Sequence, residues 1–187
     1  MDPHLARLLT SQRTCRCCGA TFAQLISLSC DRPDICSDEH IVQDNTAVLT
    51  EAGDVLTEDF CRIGDLHFLR AVLALPINNA GETEFILGTW ASVTADDFHD
   101  YHSLLDMGEV DTMGSRPAWL ANTIPLHEGQ PPAAKIQPRG DGQYPDLDVV
   151  ETSHSLHTLQ QRGLEFEDLL EMLYAYGHDL PSLLYDA

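Results

Sequence analysis

Lysine is almost missing from this chain. Its 187 residues include one, Lys135, and nine Arg, against 30 acidic side chains, for a formal net charge of −20. A chain so poor in cations has no basic face with which to displace counterions, so docking on DNA or RNA is excluded. Anionic membrane surfaces are disfavoured for the same reason. No apolar run approaches the roughly 18 residues of a membrane-spanning helix. The opening stretch, residues 1–9, carries an early Asp2 and no long apolar segment. It does not read as a secretory leader, and a reducing cytoplasm is the expected compartment. There is no Gly-x-Ser-x-Gly elbow, no glycine-rich phosphate loop, no dinucleotide fingerprint and no His-Glu-x-x-His pattern. Each absence lowers the odds of a nucleotide-dependent or zincin-type enzyme. Hydrophobic residues make up 43% of the chain, which excludes wholesale disorder.

Sulfur, by contrast, is crowded. Of six cysteines, five fall at positions 15, 17, 18, 30 and 36, and the sixth is Cys61. In a reducing compartment such thiols are free, metal-bound or catalytic rather than paired. Cys15-x-x-Cys18-Gly19 is the strongest local signal: two thiolates at this spacing grip one tetrahedral zinc, and the glycine lets the backbone fold over the sulfurs. Cys17, between them, is expected to point away. A structural zinc takes four ligands, and Cys30, Cys36, Cys61, His40, His67 and His154 all remain open as the others. The competing reading is a set of reduced thiols packing as small hydrophobes.

The hydrophobic pattern predicts an α+β fold: an antiparallel sheet with helices packed on one face and a Cys-rich N-terminal knuckle. Residues 1–187 read as a single domain, with 1–45 the Cys-rich segment and 46–187 the α+β core. The sheet centres on a hairpin of 66–77 with 83–93, joined by Asn78-Asn79-Ala80-Gly81, residues that tolerate a turn's positive φ. A short strand is expected at 60–63 and further strands at 118–124, 134–137 and 147–151. Helices are expected at 4–13, at 37–42 around His40, from the Thr94 cap to about Asp106, and at 155–161 and 165–176. His99 and His102, like His154 and His157, lie three apart on one helix face, and either pair could meet a metal. Acids crowd the first pair, which favours a solvated face. Trp90 and Trp119 read as core.

Several longer motifs run through the chain: Asp59-x-Cys61-x-Ile63; His67-Phe68-x-Arg70-Ala71-x-Leu73-x-Leu75-Pro76-Ile77; Gly88-x-Trp90-x-Ser92; Trp119-Leu120-x-Asn122-x-x-Pro125; His154-x-Leu156; and Gln160-x-x-Gly163-Leu164. Together with Cys15-x-x-Cys18-Gly19 they resemble the bacterial domain of unknown function twenty-one ninety-nine over about residues 14–175. The pattern departs in two places, with Phe22 where the family has His and Ser155 where it has Pro. The resemblance supplies no activity. It does imply that Cys15, Cys18 and Cys61 are the cysteines that matter, and with His67 or His154 they would make a Cys₃His zinc site.

Acids spread along the whole length point to a basic partner, since complementary fields steer association. The combined expectation is a non-enzymatic, acidic cytoplasmic binding protein, immunity- or inhibitor-like, with a structural zinc knuckle. Two alternatives stand beside it: an enzyme or thiol/metal sensor with an open Cys/His site, and a metal-free domain whose role lies in its partners.

Overall fold

Two long strands organise the chain in the computed structural model, which describes residues 3–10, 12–22, 27–125, 127 and 129–178. In order the elements are α1 (Pro3–Thr10), β1 (Arg13–Thr14), β2 (Thr21–Phe22), β3 (Leu28–Ser29), β4 (Val42–Gln43), α2 (Ala47–Thr50), β5 (Val55–Thr57) and β6 (Phe60–Ile63). The long pair follows, β7 (Leu66–Pro76) and β8 (Glu84–Val93). Then come α3 (Ala95–Met107), β9 (Arg116–Leu120), β10 (Ala133–Gln137), β11 (Asp146–Val149), α4 (Ser155–Arg162) and α5 (Phe166–Ala175).

The hairpin of β7 and β8 forms as the sequence predicts, in unbroken antiparallel register from His67↔Val93 to Pro76↔Glu84. Along β8, Phe85, Leu87, Thr89, Ala91 and Val93 alternate inward and are buried. Both strands are longer than any one partner, so each is shared. β7 pairs with β6 at its start and with β11 at Val72. β8 pairs with β3 at Leu87 and Gly88, and with β9 at Ala91 and Ser92.

The helices, the sheet-rich core and the N-terminal Cys cluster expected from the sequence are present, but the sheet is not antiparallel throughout. β7, β8, β9, β10 and β11 form a closed five-stranded barrel, with β6, β5, β4 and β3 as extra strands. Five strands alternating in direction leave the first and last pointing the same way, so the closing β7–β11 seam is parallel. β3–β8 and β4–β5 are parallel too. The seam ladder has a single bridge, Asp146↔Val72. Past it, Gln160 of α4 stands in for a strand: its side-chain amide accepts from Val149 N–H at 2.8 Å and donates to Leu147 C=O at 3.1 Å. That satisfies backbone groups which closure would otherwise leave unpaired.

The helices serve different parts of the barrel. α3 starts at Thr94, whose hydroxyl accepts from Asp97 N–H at 3.1 Å, and it sets Phe98 and Tyr101 edge-on against Phe60. α4 packs on β7 and β11. α5 buries Leu169, Met172 and Leu173, and Leu5 and Leu8 of α1 enter the same core. The expected helix at 37–42 is replaced by a turn, in which the Ser37 N–H and hydroxyl both reach His40 Nδ1.

A second, smaller core lies outside the barrel, where Leu56, Cys61, Phe68 and Trp90 are buried beneath residues 28–36. Asn122, itself 3% exposed, fastens that cover. Its Oδ1 accepts from Trp90 N–H and the Thr89 hydroxyl, both at 2.9 Å. Its Nδ2 donates to Arg32 C=O at 2.8 Å and to Asp34 Oδ1 at 2.9 Å. The Trp90 indole N–H donates to Cys30 C=O at 3.1 Å, and the Arg70 guanidinium stacks 5.4 Å from the Trp90 ring.

Candidate metal centre

Six residues between β1 and β2, 15–20, make a tight loop. Register Arg13↔Phe22 and Thr14↔Thr21 brings the strand ends together, and Cys15 N–H donates to Ala20 C=O at 2.8 Å. Gly19 N–H returns to Cys15 C=O at 2.9 Å, with Gly19 at φ +71°, a left-handed turn that glycine adopts without a Cβ clash. The loop therefore wraps its own sulfurs. Cys15 is buried at its base, while Cys17 and Cys18 are exposed on its rim.

The opposite wall comes from the end of α5. His178 N–H donates to Leu173 C=O at 2.9 Å, so the chain past the helix folds back over its last turn. There Cys17 Sγ donates to Gly177 C=O, and Cys18 Sγ lies 3.5 Å from His178 Nδ1. Cys15 and Cys17 approach Sγ to Sγ at 2.9 Å. The ligand atoms of Cys15, Cys17, Cys18 and His178 all lie within 4.8 Å of one another. This quartet is the group of its kind among the described residues.

The electrostatics suit a cation. Burial pushes the Cys15 thiol up, but its sulfur is met by the Cys17 thiol, the Cys18 N–H, the His178 ring and the Cys17 N–H. Together these bring it down to about 6. A thiolate is the form that binds metal. Tetrahedral zinc with thiolates at ~2.3 Å sets sulfurs about 3.8 Å apart. The Cys15–Cys17 pair needs to open by just under ~1 Å to meet that spacing. Three thiolates and one imidazole are soft and borderline donors, the set zinc takes.

Of the residues expected from the sequence, Cys15 and Cys18 belong to this quartet, and Cys61, His67 and His154 do not. Cys61 pairs with Cys36 at 3.6 Å. The His67 ring donates from Nδ1 to Asp65 C=O at 3.1 Å and packs 5.0 Å from Phe98. His154 caps α4, accepting Leu156 N–H on Nδ1 at 3.2 Å. His157 turns instead to Val149 C=O at 2.8 Å, and His102 to Asp106 at 3.4 Å, so neither histidine pair converges. Cys17, expected to point away, faces the site. His178 was not among the candidates, since nothing local links it to a loop 160 residues earlier.

Burial lowers the His67 imidazole below its ordinary range, with a smaller push from His99. The folded form thus resists a proton that the unfolded chain accepts below about pH 6.5. Stability contributed by neutral His67 is present above that pH and is lost as the pH falls through the folded value. Urea titrations at pH 7 and pH 5 are expected to show this loss, and His67→Gln is expected to shrink the difference.

A protein-family model described as an uncharacterized protein conserved in bacteria (DUF2199) matches residues 14–164. The three cysteines of the quartet lie inside that span, and His178 lies beyond it. No curated protein and no solved structure matches the chain. Among the described residues, no helix is long and apolar enough to cross a membrane.

Proposed function

Since this chain belongs to the DUF2199 family of uncharacterized proteins conserved in bacteria, we propose a role from its own geometry: a zinc-clasped, non-enzymatic cytoplasmic binding protein whose anionic surface engages a basic protein partner. The Cys15–Cys17–Cys18–His178 quartet carries the reading. Four protein ligands fill a tetrahedral shell and leave no open position for water or substrate, the pattern of structural zinc. The ion would tie the β1–β2 loop to the end of α5.

Support for the partner comes from charge. Acids outnumber bases 30 to 10. On the outer face of the barrel, a cavity of about 590 Å³ along the β7–β11 seam is lined by Glu84, Asp146 and Asp148 against Lys135. Lys135 already faces Asp148 at 3.4 Å, and Asp146 holds Arg139 at 2.9 Å.

Elemental analysis of purified chain is expected to give one zinc per molecule, with loss of zinc in Cys15→Ser/Cys18→Ser and weakened retention in Cys17→Ser. A metal-free wild type, or zinc unchanged in the double variant, would reject the clasp. Partner capture in low salt is expected to recover a basic protein and release it as salt rises, by screening. Capture indifferent to salt would reject the electrostatic reading.

A second reading, a thiol or metal sensor, draws on Cys17 and Cys18, which stand exposed on the rim of the loop. Alkylation separates the two readings. Uniformly slow, metal-protected Cys15, Cys17 and Cys18 mean a closed structural site, and one fast thiol among these three in the zinc-loaded chain means a sensor.

A further inference from the structure

A second pair of sulfurs lies apart from the quartet. Cys36 and Cys61 touch Sγ to Sγ at 3.6 Å. Cys61 sits on β6 opposite Phe68, with no exposed surface, in the small core with Leu56 and Trp90. Cys36 is only half-buried. It ends a turn closed by its N–H on Pro33 C=O at 3.0 Å, next to Ile35, which is 50% exposed. Cys36 is therefore the outer residue of the pair, and Cys61 is the enclosed one. A disulfide needs about 2.0 Å between sulfurs, so this contact closes by a shift of roughly 1.6 Å shared between two side-chain torsions.

The surroundings favour the outer sulfur as the attacker. Burial raises both thiols, Cys61 far more. At Cys36 the Cys61 hydrogen bond and the Arg32 guanidinium work against that rise. The Arg32 head group is held in place by its bond to Ser37 C=O at 2.7 Å.

We infer that Cys36 and Cys61 form a thiol–disulfide exchange site for a small soluble disulfide of the glutathione class, an activity that stands independently of the zinc clasp. The Cys36 thiolate attacks one sulfur of the small disulfide, forming a mixed disulfide and releasing one small thiolate, which takes up a proton. Cys61 then gives up its proton and attacks Cys36 Sγ, forming the Cys36–Cys61 bond and releasing the second small thiol. In total the protein gives up two protons and two electrons, and the small disulfide takes up both to become two thiols.

The test uses full-length chain carrying Trp119→Phe, which leaves Trp90 as the sole tryptophan. Treatment with oxidised glutathione is expected to remove two hydrogens from the peptides that carry Cys36 and Cys61 and to join them by a cross-link. Trp90 emission is expected to fall, because a disulfide against an indole quenches it. Cys36→Ser is expected to abolish all three changes with its circular dichroism unaltered. Cys61→Ala is expected to stop at the first step and keep glutathione on Cys36. A wild-type chain with no Cys36–Cys61 cross-link, or a Cys61→Ala chain that carries no glutathione on Cys36, would overturn the assignment.

Discussion

Asn122→Ala is expected to cost about 4 kcal/mol of folding stability, because it orphans several buried groups at once. Asn122 is fully engaged: two groups donate to its carbonyl, and its amide donates to two more. Without it, Trp90 N–H inside β8, the Thr89 hydroxyl at 0% exposure and Arg32 C=O all lose their partner. Asp34 is held by other bonds as well, to Thr123 N–H and from its own N–H to Ala121 C=O at 3.0 Å, so the cover loosens and does not detach. Denaturant titration is expected to show a lower midpoint with an unchanged slope, and the melting temperature is expected to drop by about 10 °C. Asn122→Asp keeps the acceptor but removes the donors and sets a second carboxylate beside Asp34. It is expected to be equally unstable at neutral pH and to recover partly in acid. A loss under about 1 kcal/mol for Asn122→Ala would mean the cover over Trp90 is not fixed by this side chain.

Gly163→Ala is expected to cost about 3 kcal/mol, from two sources. Gly163 ends α4 at φ +84° and ψ 166°, a conformation that glycine occupies and other residues resist. A Cβ there would stand 2.5 Å from Asn78 Oδ1 and 3.2 Å from Pro76 C=O. Asn78 cannot step aside freely, since its Nδ2 donates to Glu165 at 2.8 Å. The Pro76 carbonyl accepts Leu164 N–H at 2.7 Å, the contact that docks the helix pair to the end of β7. Gly53→Ala is the control. Gly53 has nearly the same φ, +85°, and nothing within 4 Å of its Cβ, so only the backbone part of the penalty is expected. Equal losses at the two glycines would show that the close approach to Asn78 carries no weight.

These two residues show what the motifs read from the sequence do in the fold. Asn122 and Trp90 fasten the cover over the small core, Arg70 stacks on that tryptophan, Gln160 bonds the backbone of β11 at the barrel seam, and Gly163 lets the helix pair dock at the end of β7. The elements built from local signals were legible. The β7–β8 hairpin came from its turn residues and β-branched flanks, α3 from its Thr94 cap, and α5 from its apolar stripe. Barrel closure was not legible, because it depends on one bridge at Val72 and a side-chain amide on α4, and neither leaves a periodic trace. Strands β1 to β5 run two or three residues each, too short for alternation to register. The candidate site was half visible. Cys15-x-x-Cys18-Gly19 announces its own turn, whereas Cys61 was grouped with it by motif alone and lies with Cys36. His178 carries no local mark at all.

The meeting of the β1–β2 loop with His178 also has a mechanical meaning. With the ion in place, 160 residues separate Cys18 from His178 along the chain, yet the two are neighbours in space. A metal bound there would make the protein a ring with a clasp, and tension applied at residues 15 and 178 would run through metal–ligand bonds and bypass the hydrogen-bond ladders. Pulled there, the zinc-loaded molecule should yield in one abrupt event at the clasp, and the chelated molecule should peel open strand by strand at far lower force.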